Sequence, residues 1–352
     1  MIRFTLILKI FLFFLFFSCK KDNEVIKKND TVIINSKDTL WTYYKHNYLS
    51  DSINQFPAGE IRSIIEYNKE IWITTGENIC VLRAGKWLSY KTIDNPSILR
   101  EVNGNLIVSK ASSNSKMDYF LTYNNNNDFW NNASTFNSNL NPYTLKMNIA
   151  NAIYDYVEYN NQLFFSLLLD SVVVCNNNQY SILNNIPISP IRFKIDSKNR
   201  LWLLSGYLYM GNRSDTLYSK LMYYYNNELK TIKLPGSLKL WDVNDVEDWD
   251  GIVISSEMWQ KNYKLVNNEW IDITDKFPSK EISSFVYDKK GTLWITTYDK
   301  GIAKYYDNKW TIYTDTNHLK TNFIRSIYFD SHNILWIPSP SYGLISYKGE
   351  KI

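Results

Sequence analysis

Four arginines each follow an aliphatic residue beside an apolar segment: Ile61-Arg62, Leu99-Arg100, Ile191-Arg192 and Ile324-Arg325. A guanidinium is a rigid fork of N–H donors that matches a carboxylate or a phosphate. Gathered at one rim, four such groups would form a partial ring for an anionic ligand. Used singly, each would tie a carbonyl or carboxylate of a neighbouring segment, and both uses stay open. A second set places aromatic rings beside carboxylates in short connections: Glu257 with Trp259, Tyr298 with Asp299, Tyr342, and Tyr207 with Tyr209. Ring faces stack on the apolar faces of sugars, and planar polar groups satisfy the hydroxyls. In a chain that is 16% aromatic, rings in loops also serve packing. A carboxylate pair such as Glu257 and Asp299 is what glycosidic hydrolysis requires, but sequence spacing does not fix the separation on which that chemistry depends.

Other chemistry is thinly supplied. There is no glycine-rich phosphate loop and no nucleophile elbow. The acidic run Asp242, Asp245, Glu247, Asp248 and Asp250 lacks the spacing of a calcium loop and reads as decoration of a strand and its solvated turn. Cys80 and Cys175 sit inside apolar runs, which favours buried thiols over a metal site or a disulfide. No metal, no other cofactor and no catalytic residue is expected.

The elements that would position these groups come from a repeat. The chain has 352 residues, 45% of them apolar, enough to build a large core and to exclude disorder. Tyr, Trp, Ile and Asn dominate, favouring strands and turns. Residues 285–310 and 327–352 are self-similar: Trp294 is followed by Gly301 and Tyr305, and Trp336 by Gly343 and Tyr347, at the same spacings and a period of 42. Equivalent apolar pairs occur at Ile71-Trp72, Leu106-Ile107, Leu163-Phe164, Leu201-Trp202 and Ile252-Val253. Seven copies averaging 44 residues match the size of a four-stranded propeller blade. The fold class is therefore all-β, a seven-bladed β-propeller over residues 38–352. The seventh copy lacks a fourth strand, whereas Leu40-Trp41-Thr42-Tyr43-Tyr44 has the pattern of one and precedes the first copy. The N-terminal strand is expected to close the ring as the outer strand of blade seven.

In such a ring the D-to-A and B-to-C connections share one face, here termed the top. The long connections 46–60, 131–150 and 206–220 all fall there, marking it as the binding face. His46 and His318 lie on D-to-A connections and His332 on an A-to-B turn of the opposite face, so a histidine cluster is not expected.

These residues resemble the two-component regulator propeller repeat. Asp288-Lys289-Lys290-Gly291-Thr292-Leu293-Trp294 carries its pattern in full, and Asp196–Trp202 and Asp330–Trp336 differ by Asn199 and Asn333 in place of glycine. The resemblance implies a sensing propeller of the kind found in hybrid sensor kinases. The given chain stops with the ring, so signalling by phosphorylation is not expected of it.

Residues 1–18, MIRFTLILKIFLFFLFFS, combine Arg3 and Lys9 with an apolar run too short to span a bilayer comfortably, and read as an export signal. Leu15-Phe16-Phe17-Ser18-Cys19 resembles the lipobox of bacterial lipoproteins, which implies acylation at Cys19. Lys20-Lys21-Asp22-Asn23-Glu24 resembles the surface-export signal of some Bacteroidota lipoproteins, and residues 19–37 read as a flexible tether. Loss of Arg3 and Lys9 from 39 basic residues leaves 37 against 35 acidic ones, with no basic stripe, which argues against nucleic acid as a partner. The expected protein is an outer-membrane lipoprotein, held to the membrane by its lipid anchor. It binds a glycan or an envelope protein through Arg62, Arg100, Arg192, Tyr207, Glu257, Trp259, Tyr298, Asp299, Arg325 and Tyr342. The alternatives are a scaffold subunit of a secretion or uptake complex and a carbohydrate-active enzyme using the loop carboxylates. Cys19→Ala should abolish acylation and move the protein out of the outer-membrane fraction. Persistent membrane integration of that variant would instead identify an uncleaved helix.

Overall fold

Asparagine decides the local structure. At Asn226-Asn227, Asn267-Asn268 and Asp307-Asn308 both residues have φ between 50° and 66°, the left-handed pair that two-residue hairpins require and that Asn and Asp tolerate best. β-branched and aromatic runs flank these turns and form strands. The computed structural model describes residues 40–45, 59–90, 96–110, 120–132, 153–167, 172–177, 179–186, 191–205, 216–340 and 342–349. They belong to one compact unit, Val32–Ile352. The signal, Cys19, the tether, His46, Tyr207 and Tyr209 lie outside the described residues, as do most of the three long connections.

The first strand is β1 (Trp41–Lys45). Blade one is β2 (Ser63–Tyr67), β3 (Glu70–Thr74), β4 (Ile79–Arg83) and β5 (Lys86–Tyr90). Blade two is β6 (Pro96–Val102), β7 (Asn105–Lys110), β8 (Phe120–Asn124) and β9 (Phe129–Asn132). Blade three is β10 (Ile153–Tyr159), β11 (Gln162–Leu167), β12 (Val172–Asn176) and β13 (Gln179–Ile182). Blade four is β14 (Ile191–Ile195), β15 (Leu201–Ser205), β16 (Lys220–Tyr225) and β17 (Glu228–Lys233). Blade five is β18 (Asp245–Asp248), β19 (Ile252–Ser256), β20 (Lys261–Val266) and β21 (Glu269–Asp272). Blade six is β22 (Ile282–Tyr287), β23 (Leu293–Thr297), β24 (Ile302–Tyr306) and β25 (Lys309–Tyr313). Blade seven holds β26 (Tyr328–Phe329), β27 (Leu335–Ser339) and β28 (Gly343–Tyr347), and its fourth strand is β1. β1 pairs antiparallel with β28 from Trp41 opposite Tyr347 to Lys45 opposite Gly343. The ring is closed by the N-terminal strand, as its sequence pattern predicts.

The core lies between blades. Seven buried apolar clusters each draw on two consecutive blades, from Trp72 with Leu106 and Tyr123 between one and two to Ile73 and Trp87 with Trp336 and Leu344 between seven and one. Tryptophans at the head of the outer strands clasp the preceding blade: Trp270 Nε1 donates to the Lys233 carbonyl and Trp310 Nε1 to that of Lys276. Trp41, 2% exposed, does the same at the closure, stacked on His318 at 4.8 Å and on Tyr347 at 4.3 Å. Tyr43 adds a hydrogen bond from its hydroxyl to the His318 carbonyl at 2.8 Å. Cys80 and Cys175 are buried free thiols, and burial pushes the Cys80 thiol up to about 12.

The aspartate of the repeat motif has a mechanical role. Asp330 Oδ1 accepts the His332 and Ile334 backbone N–H groups, and Oδ2 accepts the Trp336 indole N–H at 2.9 Å. Asp196 and Asp288 repeat the arrangement with Trp202 and Trp294. The fourth motif position is left-handed in all three, with φ of 55° at Asn199, 77° at Gly291 and 61° at Asn333. This is why asparagine replaces glycine there and other residues do not. Blade one makes the turn with Asn68-Lys69 and no aspartate, and the Trp72 indole N–H has no acceptor among the described residues.

The acidic run of blade five differs from its expected role as solvated decoration. Asp242, Asp245 and Glu247 are buried. Asp245 Oδ2 accepts the Phe285 N–H at 2.7 Å and the Lys194 ammonium at 2.7 Å, and Glu247 Oε1 accepts the Ser197 N–H at 2.8 Å. Asp242 Oδ2 accepts the Lys239 N–H. These carboxylates join blades four, five and six, and only Asp250 at the turn is fully exposed. Because Trp41 joins β1 to blade six, Trp41→Ala should reduce unfolding free energy by about 3–5 kcal/mol. Chemical denaturation checks this, and an unchanged midpoint would mean that the ring does not depend on its N-terminal strand.

Candidate functional site

The inner strands set the level of each arginine. Ile65 lies opposite Trp72 and Tyr328 opposite Trp336, so Arg62 and Arg325 occupy the same level in blades one and seven, three residues above those pairs. Arg192 is two residues before Lys194, which faces Trp202. Arg100 itself faces Ile107, the equivalent of the tryptophan. The four therefore do not form a level ring. Arg100 faces Ile107 as Ile65 faces Trp72, so the Leu99-Arg100 pair sits low in its strand.

All four arginines reach toward the next blade. Arg62 Nη1 donates to the Pro96 carbonyl at 3.4 Å. Arg100 donates through Nε to the Tyr156 carbonyl and through Nη2 to Asp155 at 3.3 Å. Arg192 donates to the Asn244 carbonyl. Arg325 Nη1 pairs with Glu60 Oε1 at 2.7 Å. The tying role expected as one use of these residues is thus present, and Arg100 is committed to it by Asp155, which is 2% exposed.

The aromatic candidates divide between a platform and the outer wall. Tyr298, in the B-to-C turn of blade six, lies 5.1 Å from the ring of Phe323. The Arg325 guanidinium stands 5.4 Å above Phe323. Burial, and then the Glu257 carboxylate, raises the Tyr298 phenol above its ordinary range, with Arg192 and Arg325 opposing. The phenol stays a neutral hydroxyl at physiological pH. Trp259 is 50% exposed and Met258 67%, on a turn closed by the Gln260 N–H to the Glu257 carbonyl. Gln260 Nε2 fixes that turn to Glu281 Oε1 of blade six at 3.0 Å. Tyr298, Phe323 and Arg325 thus come together on the top of blades six and seven, with the Glu257 carboxylate near enough to act on the Tyr298 phenol, and Trp259 is exposed on the same turn as Glu257.

Two predicted residues serve other purposes. Asp299 accepts the Ser279 hydroxyl at 2.5 Å, and neighbouring Lys300 donates to the Pro278 carbonyl at 2.8 Å, so this turn pins the segment leading into blade six. Tyr342 packs edge-on against Tyr43 of the closing strand at 6.1 Å, with the Lys320 ammonium over both rings. Sequence reasoning missed Phe323, which sits two residues before a recurrent arginine. It also missed the hydroxyl that every blade carries two or three residues after its tryptophan position. Thr74, Ser109, Ser166, Ser205, Ser255, Thr296 and Ser339 are all buried at the top of the second strands. The common offset was the signal available.

Beside the platform, Glu60, Arg62, Ser97, Arg325, Pro338 and Ser339 line a hollow of about 370 Å³ between blades seven and one. On the opposite face, Trp294, Lys304, Phe329, Leu335 and Tyr347 line a cleft of about 400 Å³ between blades six and seven. Among the described residues no cluster of His, Cys, Asp and Glu could hold a metal ion, and no helix is long and apolar enough to cross a membrane.

Residues 276–299 match the two component regulator propeller family; this is the segment in which Asp288, Gly291 and Trp294 keep the whole motif. The fold is similar to the extracellular domain of a protein described as a hybrid two-component system from B. thetaiotaomicron. That match has 15% identity and a TM-score of 0.60, and covers 87% of this chain but 42% of the other. A second B. thetaiotaomicron extracellular domain, described as a one-component system, matches at 14% identity and TM-score 0.59, over 88% of this chain and 41% of that one. Virginiamycin B lyase from Staphylococcus aureus, inactivated and bound to quinupristin, matches at 13% identity and TM-score 0.58, over 87% and 98%. Among curated proteins none matches this sequence significantly. The chain carries the two-component regulator propeller repeat within a seven-bladed ring, and spans about two fifths of the extracellular domains it resembles.

Scaffold and platform residues should respond differently to substitution. Asp245→Ala leaves the Phe285 N–H and the Lys194 ammonium without their buried partner and should cost about 3–5 kcal/mol in denaturant unfolding. Glu257→Gln, on an exposed turn, should stay within about 0.5 kcal/mol of the parent chain. Equal losses would remove the distinction between the two sets.

Proposed function

We propose that this propeller is an envelope lipoprotein, anchored through Cys19, that binds an extracellular glycan on the top of blades five to seven without catalysis. The observation that carries the reading is the aromatic platform: Trp259 half exposed, with Tyr298 and Phe323 5.1 Å apart and flanked by Arg325. Soluble proteins seldom leave large apolar side chains in water side by side without a use for them. Here Met258 and Trp259 are exposed on one turn and Phe323 on the connection into blade seven, and the turns of blades five and six are fixed by Gln260, Asp299 and Lys300. A rigid stacking surface beside amide, carboxylate and guanidinium groups matches the apolar faces and hydroxyls of a sugar ring.

The resemblance to extracellular domains supports an envelope location, and the export signal with Cys19 supports a lipid anchor. A catalytic use of Glu257 and Asp299 is the weaker reading, since Asp299 already accepts the Ser279 hydroxyl. Screening the protein against an oligosaccharide panel should identify a bound class, and Trp259→Ala and Phe323→Ala should each weaken it at least about tenfold, or about 1.4 kcal/mol. Binding unaffected by both substitutions would overturn the platform. Stoichiometric retention of an envelope protein in place of any glycan would favour the scaffold reading.

A further inference from the structure

We propose that the ligand carries a carboxylate and that the hollow between blades seven and one holds it, so that the preferred saccharide is acidic. This rests on the glycan-binding reading and names its substrate class. The hollow, about 370 Å³, falls within the size range of small-molecule sites. It adjoins the platform through Arg325, whose guanidinium lies over Phe323 and also lines the hollow. Arg62 and Arg325 enter it from the same level of adjacent blades, presenting two cations against the single carboxylate of Glu60.

Two details indicate a space kept for a polar group. Ser339 is 2% exposed, lines the hollow, and its hydroxyl has no hydrogen-bond partner among the described residues. Leaving a buried hydroxyl in that state is unfavourable, and a ligand oxygen would relieve it. The Arg62 guanidinium packs against Gly76, where a Cβ would stand 3.2 Å from Nη2.

Glu60 shows which anion the site accepts. Its carboxylate pairs with Arg325 Nη1 at 2.7 Å, with both side chains half or more exposed. An exposed pair of this kind contributes little to stability, so an incoming carboxylate can displace it. Among the described residues Glu60 engages Arg325 through Nη1 alone, and a guanidinium has further N–H groups for a bidentate contact. Glu60 is therefore a competitor of the ligand, and its removal should strengthen binding.

The test is calorimetric titration of the full chain with oligogalacturonides and oligoglucuronides, and with the same oligomers after reduction of their carboxyl groups to alcohols. At least one acidic oligomer should bind, with its reduced form at least about tenfold weaker, together with a decline in affinity as salt is raised. Arg62→Gln and Arg325→Gln should each weaken the acidic ligand about tenfold, Ser339→Ala several-fold, and Glu60→Gln should strengthen it several-fold. Melting temperature should be unchanged in Arg325→Gln and Glu60→Gln, which alter exposed groups. Equal affinity for acidic and reduced oligomers, lost in Trp259→Ala, would overturn the carboxylate site and leave the glycan reading standing. Absence of binding to every oligomer would overturn both, and weakened binding in Glu60→Gln would overturn the role of the hollow.

Discussion

A propeller blade has two apolar faces and no core of its own, so only its neighbours can bury it. Every buried apolar cluster in this chain spans two consecutive blades. Seven sheets accordingly need seven interfaces, and the seventh exists only if the two ends of the chain meet. Pairing of β1 with β28 supplies that meeting, and Trp41 extends it across to Tyr313 and His318 of blade six. The sheet that closes the ring pairs residues 306 positions apart at Trp41 and Tyr347 and 298 apart at Lys45 and Gly343, so ring closure bears a larger loop-entropy cost than any other pairing. Aromatic contacts of Trp41, Tyr43 and Tyr44 offset part of that cost.

Polar groups follow the same geometry. Inner strands of neighbouring blades approach too closely for their unpaired backbone N–H groups to reach water, and a buried donor needs an acceptor. Blades one, three and five provide these acceptors. Ser63, Asp155 and Asp245 take the N–H groups of Leu99, Phe193 and Phe285 on the following blade. Glu66, Glu158 and Glu247, further along the same strands, take those of Ser331, Asn103 and Ser197 on the preceding blade. Six side chains on alternate blades thus bind both neighbours. The buried carboxylates among them, Asp155, Asp245 and Glu247, are fixed parts of the frame and unavailable to a ligand.

That distinction explains what was legible in the sequence. The tryptophan period, the asparagine turns and the displaced outer strand are local patterns, and each gave the correct element: blade number, hairpins and closure by residues 41–45. The Asp-x-x-Gly/Asn-x-Leu-Trp motif was equally legible, since its hydrogen bonds lie within seven consecutive residues. What failed depended on contacts between blades. Asp245 and Glu247 look solvated by composition, and only the positions of Phe285, Lys194 and Ser197 make them buried acceptors. Arg100 resembles Arg62 as a dipeptide, but the pairing of β6 with β7 places it opposite Ile107. Tyr342 has the sequence surroundings of a loop aromatic, and it packs on Tyr43 because Tyr43 arrives from the other end of the chain. Phe323 carried no periodic mark, because its exposure belongs to the connection leading into one blade.

The candidate site is best understood by subtraction. Of the polar and aromatic groups on the top face, Asp299, Arg100 and Tyr342 are bound into the frame. Trp259 and Phe323 remain exposed, and Ser339 keeps a buried hydroxyl without a hydrogen-bond partner among the described residues. Pro338 beside it has no backbone N–H to offer, so the polar character of this rim comes from side chains and can change without disturbing the ladder. Blades seven and one are also where the two ends of the chain meet, and neither blade depends on a single continuous segment for its neighbour. Beside the closure that holds the ring together, the two arginines of matching level, Arg62 and Arg325, line a common hollow. Binding there would bridge the last blade to the first, so a ligand held by both guanidinium groups would reinforce the interface formed last in the chain's connectivity.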